Sequence, residues 1–192
     1  MNVDEFWAVV ESAGAGLDGR TGDAGEAVAA ALVTRLAATS PEGILDFQEL
    51  FDQLHGALYR WDVWAAAYLI GGGCSDDSFM DFRAGVIAQG REWYERVLAS
   101  PDALADHAVV RQAAAEKDDY ALFAESVNYV ACEAYERVTN DDHAFYDAME
   151  ARQHVAVRVE PDMGEDFDFD DDDEMRRRLP RLAVLFLGPE DD

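Results

Sequence analysis

Apolar residues return every third or fourth position along most of this chain, and that period is helical. The clearest stripe is Ile44, Phe47, Phe51, Leu54 and Leu58, at spacings of 3, 4, 3 and 4. Ser40-Pro41 precedes it: serine suits the N-cap, and proline suits the first helical position, where its missing N–H satisfies no bond. Val28, Leu32 and Leu36 predict a helix over 27–38, and Phe6, Trp7, Val9 and Val10 give an N-terminal helix its apolar side. Between them, five glycines from 14 to 25 read as a loop. Trp61, Trp64, Ala65, Tyr68 and Leu69 form a short aromatic helix closed by Gly71.

Farther on, Ser75 suits the cap of a helix whose core face is Phe79, Phe82, Val86, Trp93 and Val97, with Gly90 allowing a neighbour close approach. Ser100-Pro101-Asp102 repeats the cap-plus-proline device. Phe123, Val127, Val130, Ala134 and Val138 predict one long helix from Tyr120 to Val138, and a short helix follows the turn at Asn140. The fold class expected is mainly α: a single-domain multi-helix bundle, with one short C-terminal strand drawn from the alternation of Val155, Val157 and Val159. Residues 1–159 form the helical domain, 160–174 an acidic loop, and 175–192 a terminal helix whose apolar end docks on the same domain.

Charge narrows the function. The 192 residues carry 41 acidic groups against 15 basic ones, a formal charge of −26. Such a surface excludes general binding to nucleic-acid backbones or anionic membranes and attracts basic proteins. Ten acidic residues and no basic one fall between Glu160 and Glu174, and Arg176, Arg177, Arg178 and Arg181 follow at once. Lys117 is the single lysine; with abundant alanine and glycine this is a GC-rich, bacterial composition. Two cysteines, Cys74 and Cys132, lack metal-ligand spacing and imply free thiols. An acidic start and no long apolar segment predict a cytoplasmic location.

Chemistry concentrates in Gly71-Gly72-Gly73-Cys74-Ser75-Asp76-Asp77 and the following Arg83. Two readings stand side by side. In the structural one, Ser75 caps a helix, Asp76 and Asp77 favour its dipole, and one of them pairs with Arg83. In the functional one, Cys74 or Ser75 lies at a helix N-terminus as a nucleophile, with His55, His107 or His143 brought in by folding, or Arg83 grips an anionic ligand. Asp62 and Trp64 either line that pocket or serve helix and core. The candidate cluster is therefore Asp62, Trp64, Cys74, Ser75, Asp76, Asp77 and Arg83, with no catalytic residue assigned. The glycine run lacks the Lys-Ser/Thr pair of a phosphate loop. A calcium loop counted from Asp166 puts Asp171 where glycine belongs and Arg177 where glutamate belongs, so no metal or cofactor is expected.

Several of these residues carry a family resemblance. Phe6-Trp7, the run Trp61 to Ile70, Gly72-Gly73-Cys74-Ser75-Asp76-Asp77, Phe79, Phe82-Arg83, Ile87, Gln89-Gly90, Pro101-Asp102, Glu133-Ala134-Tyr135 and Arg178 to Leu182 resemble an uncharacterised bacterial family, domain of unknown function 4240. The resemblance implies one mainly helical domain and carries no activity across.

The function expected is an acidic cytoplasmic protein-interaction module, of inhibitor or immunity type, for a basic partner. Its partner-binding residues are Asp166, Phe167, Asp168, Phe169, Asp170, Asp171, Asp172 and Asp173. The alternative is a small-molecule-binding or hydrolytic enzyme with its pocket around the Gly-Cys-Ser-Asp-Asp motif. The sequence leaves the oligomeric state open.

Overall fold

The computed structural model describes residues 1–15, 23–153 and 162–188, and the strand expected over 154–159 lies outside them. The described residues are helical and contain no strand, a mainly α bundle around one hydrophobic core.

The first three helices follow the sequence closely. In α1 (Val3–Gly14), Asn2 and Glu5 form a capping box, and Phe6, Trp7, Val10 and Ala13 are buried. Helix α2 (Asp23–Leu36) buries Leu32, Val33 and Leu36. Helix α3 (Pro41–Ala57) begins as its cap predicts, with Gly43 N donating to Ser40 Oγ at 3.1 Å. Its stripe reaches the core through Ile44, Phe47 and Phe51, and Leu58 just past its end is fully buried.

Helix α4 (Trp61–Gly71) ends where Gly72 takes φ 60°, the left-handed conformation that glycine adopts without strain. Helix α5 (Asp76–Ala88) starts at Ser75, whose Oγ accepts from Ser78 N at 3.2 Å. The single helix expected from Ser75 through Val97 is two. Gly90 takes φ 90°, closes α5 and precedes α6 (Arg91–Ala99). The break turns α6 so that Tyr94 and Val97 face the core, while Trp93 is only half-buried.

After α6 the Ser100 side chain makes no cap bond, and Pro101–Asp106 forms a 3-10 helix. Helix α7 (Ala108–Glu116) stops at Lys117, φ 57°. The long helix expected from Tyr120 does not form. Residues 118–124 cross α5 so closely that a Cβ on Gly85 would lie 1.6 Å from Leu122 O. Leu122 takes φ 68°, and Ala124 N donates to Asp81 O at 3.1 Å. A 3-10 helix, Glu125–Tyr129, then leads into α8 (Val130–Thr139), which Asn140 closes at φ 58°. Helix α9 is Ala144–Gln153.

The terminal helix is also divided. Helix α10 (Asp172–Arg178) begins inside the segment expected to be loop, capped by Asp171, whose Oδ1 accepts from Asp173 N and Glu174 N at 3.0 and 3.2 Å. Pro180 starts α11 (Pro180–Phe186), because proline lacks an N–H and keeps Leu179 before it out of the helix. Helix α11, with Leu182 and Ala183 buried, packs against the Pro101–Asp106 turn and α4. Buried Asp102 receives the start of α11: its Oδ1 accepts from Arg181 N at 3.0 Å and Leu182 N at 2.9 Å.

Candidate functional site

A column of rings and planar groups runs from the acidic segment through the bundle. Phe169 lies against Trp61 (6.0 Å between centroids), Trp61 stacks on Trp64 (5.5 Å, 10°), and Trp64 stacks on Phe79 (4.7 Å, 14°). The Arg83 guanidinium sits over Phe79 and Tyr59, 4.8 and 4.9 Å from their centroids. His55 follows, stacked on Phe51 at 5.4 Å, and Phe51, Phe47, Phe6, Trp7 and Tyr94 continue the series. Helical spacing builds much of it: Trp61 and Trp64 are one turn apart on α4, and Phe79 and Arg83 one turn apart on α5.

Arg83 does not pair with Asp76 or Asp77, contrary to the structural reading of the motif. Its Nε donates to Phe79 O at 3.3 Å, and its Nη1 donates to Nδ1 and to the carbonyl of His55, each at 3.1 Å. Arginine has no acceptor, so His55 Nδ1 must be unprotonated, and its Nε2 donates to Met80 O at 2.9 Å. Burial first, and the Arg83 charge second, push the His55 pKa down to about 4. Burial likewise lowers Arg83 to about 10. Asp76 and Asp77 point into solvent on the first turn of α5.

Cys74 and Ser75 are poor nucleophiles in this setting. Burial pushes the Cys74 thiol up to about 12, so it stays protonated. Its carbonyl accepts from Trp64 Nε1 at 3.0 Å, tying the motif to the ring column. Ser75 Oγ is taken up by the helix cap and by Ser78 Oγ. Asp62 accepts from Arg60 Nε at 3.0 Å and from Val63 N at 2.9 Å, serving the start of α4. The residues expected to form one pocket therefore separate: Trp64, Cys74 and Arg83 meet at the ring column, while Asp62, Ser75, Asp76 and Asp77 serve helix starts. A groove of about 680 Å³ lies elsewhere, lined by Val33, Glu133, Glu136, Arg137, Asn140 and Asp142. Among the described residues, no group of three or more His, Cys, Asp or Glu side chains is arranged to hold a metal ion.

The acidic segment is fastened to the same column. Trp61 N donates to Met163 O at 3.0 Å, satisfying a backbone donor that a helix start leaves open. Phe169 packs on Trp61, Trp64 and Tyr68, and the Tyr68 hydroxyl donates to Asp170. That carboxylate raises the Tyr68 pKa. Phe167 lies under the Arg178 guanidinium at 4.1 Å, and Arg178 bridges Glu165 (3.0 Å) and Glu174 (2.9 Å). Asp168 turns the chain locally, its Oδ1 accepting from Asp170 N at 2.9 Å. Asp166, Asp168 and Asp170 to Asp173 are exposed. The phenylalanines are inward pins, and the carboxylates form the outward face.

Sequence reasoning offers His55 only as one of three histidines that folding could bring to the motif, and it misses Tyr59 and Tyr68 as members of this assembly. His55 and Tyr59 lie 28 and 24 positions before Arg83, too far for a local spacing rule. Tyr68 meets Asp170 across 102 positions.

No curated protein and no solved structure matches the chain. The family model described as a protein of unknown function (DUF4240) matches residues 1–137, which takes in the ring column from Trp61 inward and the Cys74–Asp77 motif but stops short of Phe169, of the acidic segment and of Arg178 to Leu182. The chain belongs to the DUF4240 family of proteins of unknown function.

Proposed function

We propose that the chain is an acidic cytoplasmic protein-interaction module, of inhibitor or immunity type, that binds a basic partner through the segment 162–174. The observation that carries this reading is the fastening of that segment. Phe167 and Phe169 hold it to the body, so Asp166, Asp168, Asp172 and Asp173 are displayed at fixed positions. A fixed charge array loses less conformational entropy on binding than a free tail. It also steers a cationic partner into place at low salt. No helix among the described residues is long and apolar enough to cross a membrane, in keeping with this role.

The hydrolytic alternative finds less support, since the thiol is protonated, the serine hydroxyl is occupied, and both His55 nitrogens are engaged.

Affinity capture from the native host at low salt tests the reading, repeated with Asp166, Asp168, Asp172 and Asp173 changed to Asn. A basic protein retained by the native chain, released by salt and not retained by the variant supports it. Capture that is indifferent to the four substitutions, or no partner in low salt, removes it.

A further inference from the structure

We propose that Arg83 is the floor of a binding site for a small oxyanion, a carboxylate or phosphate group held by the free Nη2 of its guanidinium. The inference does not rest on the docking role, which belongs to the segment 162–174.

Arg83 is the one arginine buried among the described residues, 8% exposed. A guanidinium that deep ordinarily faces a carboxylate, because desolvating the charge without a counter-ion is costly. This chain has 41 acidic groups to choose from, yet no carboxylate among the described residues reaches Arg83. Arg60, Arg91, Arg96, Arg152, Arg178 and Arg181, all less buried, each have one. Neutral groups hold Arg83 in place: two rings stack on it, and Phe79 O, His55 Nδ1 and His55 O accept three of its five N–H donors. The two donors of Nη2 have no acceptor among the described residues. Nor is that nitrogen fully buried: among the described residues, the one fully buried side-chain nitrogen or oxygen without a partner is His107 Nδ1.

The surroundings match an oxyanion. Cys74 and Tyr59, the groups that act on Arg83 electrostatically, are both half-buried, and the Cys74 thiol is protonated. His55 is locked in its neutral form by the bond it accepts. No fixed negative charge among the described residues therefore occupies the counter-ion position. The net charge of −26 repels polyanions, which restricts the ligand to a small one. Trp64 is one ring away, stacked on the Phe79 that lies under the guanidinium, and reports on the site by fluorescence.

The test is a titration of the full chain with inorganic phosphate and, separately, with acetate, following the Arg83 Nε–H resonance by ¹⁵N-edited NMR and the tryptophan fluorescence. The proposal expects a saturable shift of that resonance, and at least a tenfold loss of affinity in Arg83→Lys, which keeps the charge but not the Nη2 donors. Tighter binding of phosphate assigns a phosphoryl ligand, and tighter binding of acetate a carboxylate. An Arg83 resonance that stays still with both probes overturns the proposal, and so does binding unchanged in a folded Arg83→Lys. The titration of the native chain decides the matter even where that variant does not fold.

Discussion

Arg83 donates to Nδ1 of His55 at 3.1 Å, and that one bond fixes the state of both residues. It requires a neutral imidazole, leaves the guanidinium without an acid partner, and frees Asp76 and Asp77 from any part in holding the arginine. Asp76→Asn and Asp77→Asn should each change stability by less than about 0.5–1 kcal/mol, as for exposed first-turn carboxylates. Ser75→Ala should cost about 1 kcal/mol, because it removes the α5 cap. Urea unfolding of the three variants checks this. A loss of several kcal/mol in either aspartate variant restores a buried pair with Arg83.

The same bond gives the fold an acid-sensitive step. His55 and His107 both have folded pKa values pushed down to about 4, each chiefly by burial and then by a nearby arginine, Arg83 and Arg96 respectively. The unfolded chain takes up protons on these rings near pH 6.5, while the folded chain does so only near 4. Stability is therefore lost as pH falls from about 6.5 to about 4, by on the order of 3 kcal/mol per histidine, and this contribution levels off below. His107→Phe keeps a ring against Trp93, 4.4 Å away in the native structure, and should flatten part of that slope in denaturation midpoints measured from pH 7 to 4. An unchanged slope contradicts the assignment.

Helix starts were legible because their signals are local. Ser40-Pro41 and Ser75 each place a hydroxyl three residues before the N–H it accepts from, and both caps form. Phe167 and Phe169 stood out as apolar residues in a run of acids, but the sequence placed them on the partner-binding face, whereas both rings pack inward. What the sequence concealed depends on partners far along the chain. Gly90 fits a helical pattern, and only its φ of 90° shows that it ends α5. The stripe from Phe123 to Val138 is a sound helical period, but contact with Gly85 overrides it up to Tyr129. Asp102 caps a helix about 80 positions away, which no spacing rule finds.

That contact makes Gly85 the least replaceable glycine described. Gly85→Ala should destabilise by about 3 kcal/mol or more, since the added methyl meets a backbone carbonyl that cannot rotate away. Gly56→Ala, in α3 with nothing within 4 Å of its Cβ, should instead stabilise by about 0.5–1 kcal/mol. Thermal melts of the two variants should move in opposite directions.

Phe169 should matter to the display more than to the fold. Phe169→Ala should cost about 1–2 kcal/mol and alter the emission of Trp61 and Trp64, both in contact with its ring. Hydrogen exchange at the Trp61 amide, which donates to Met163 O, should quicken while α3 and α5 amides stay protected. Uniform exchange across all these helices would mean that the segment 162–174 is not held independently.

The most direct measurement is the association rate of the captured basic partner as a function of ionic strength, for the native chain and for the chain with Asp166, Asp168, Asp172 and Asp173 changed to Asn. The account predicts a rate that falls steeply with salt for the native chain and only weakly for the variant. Equal salt dependence in the two would contradict it.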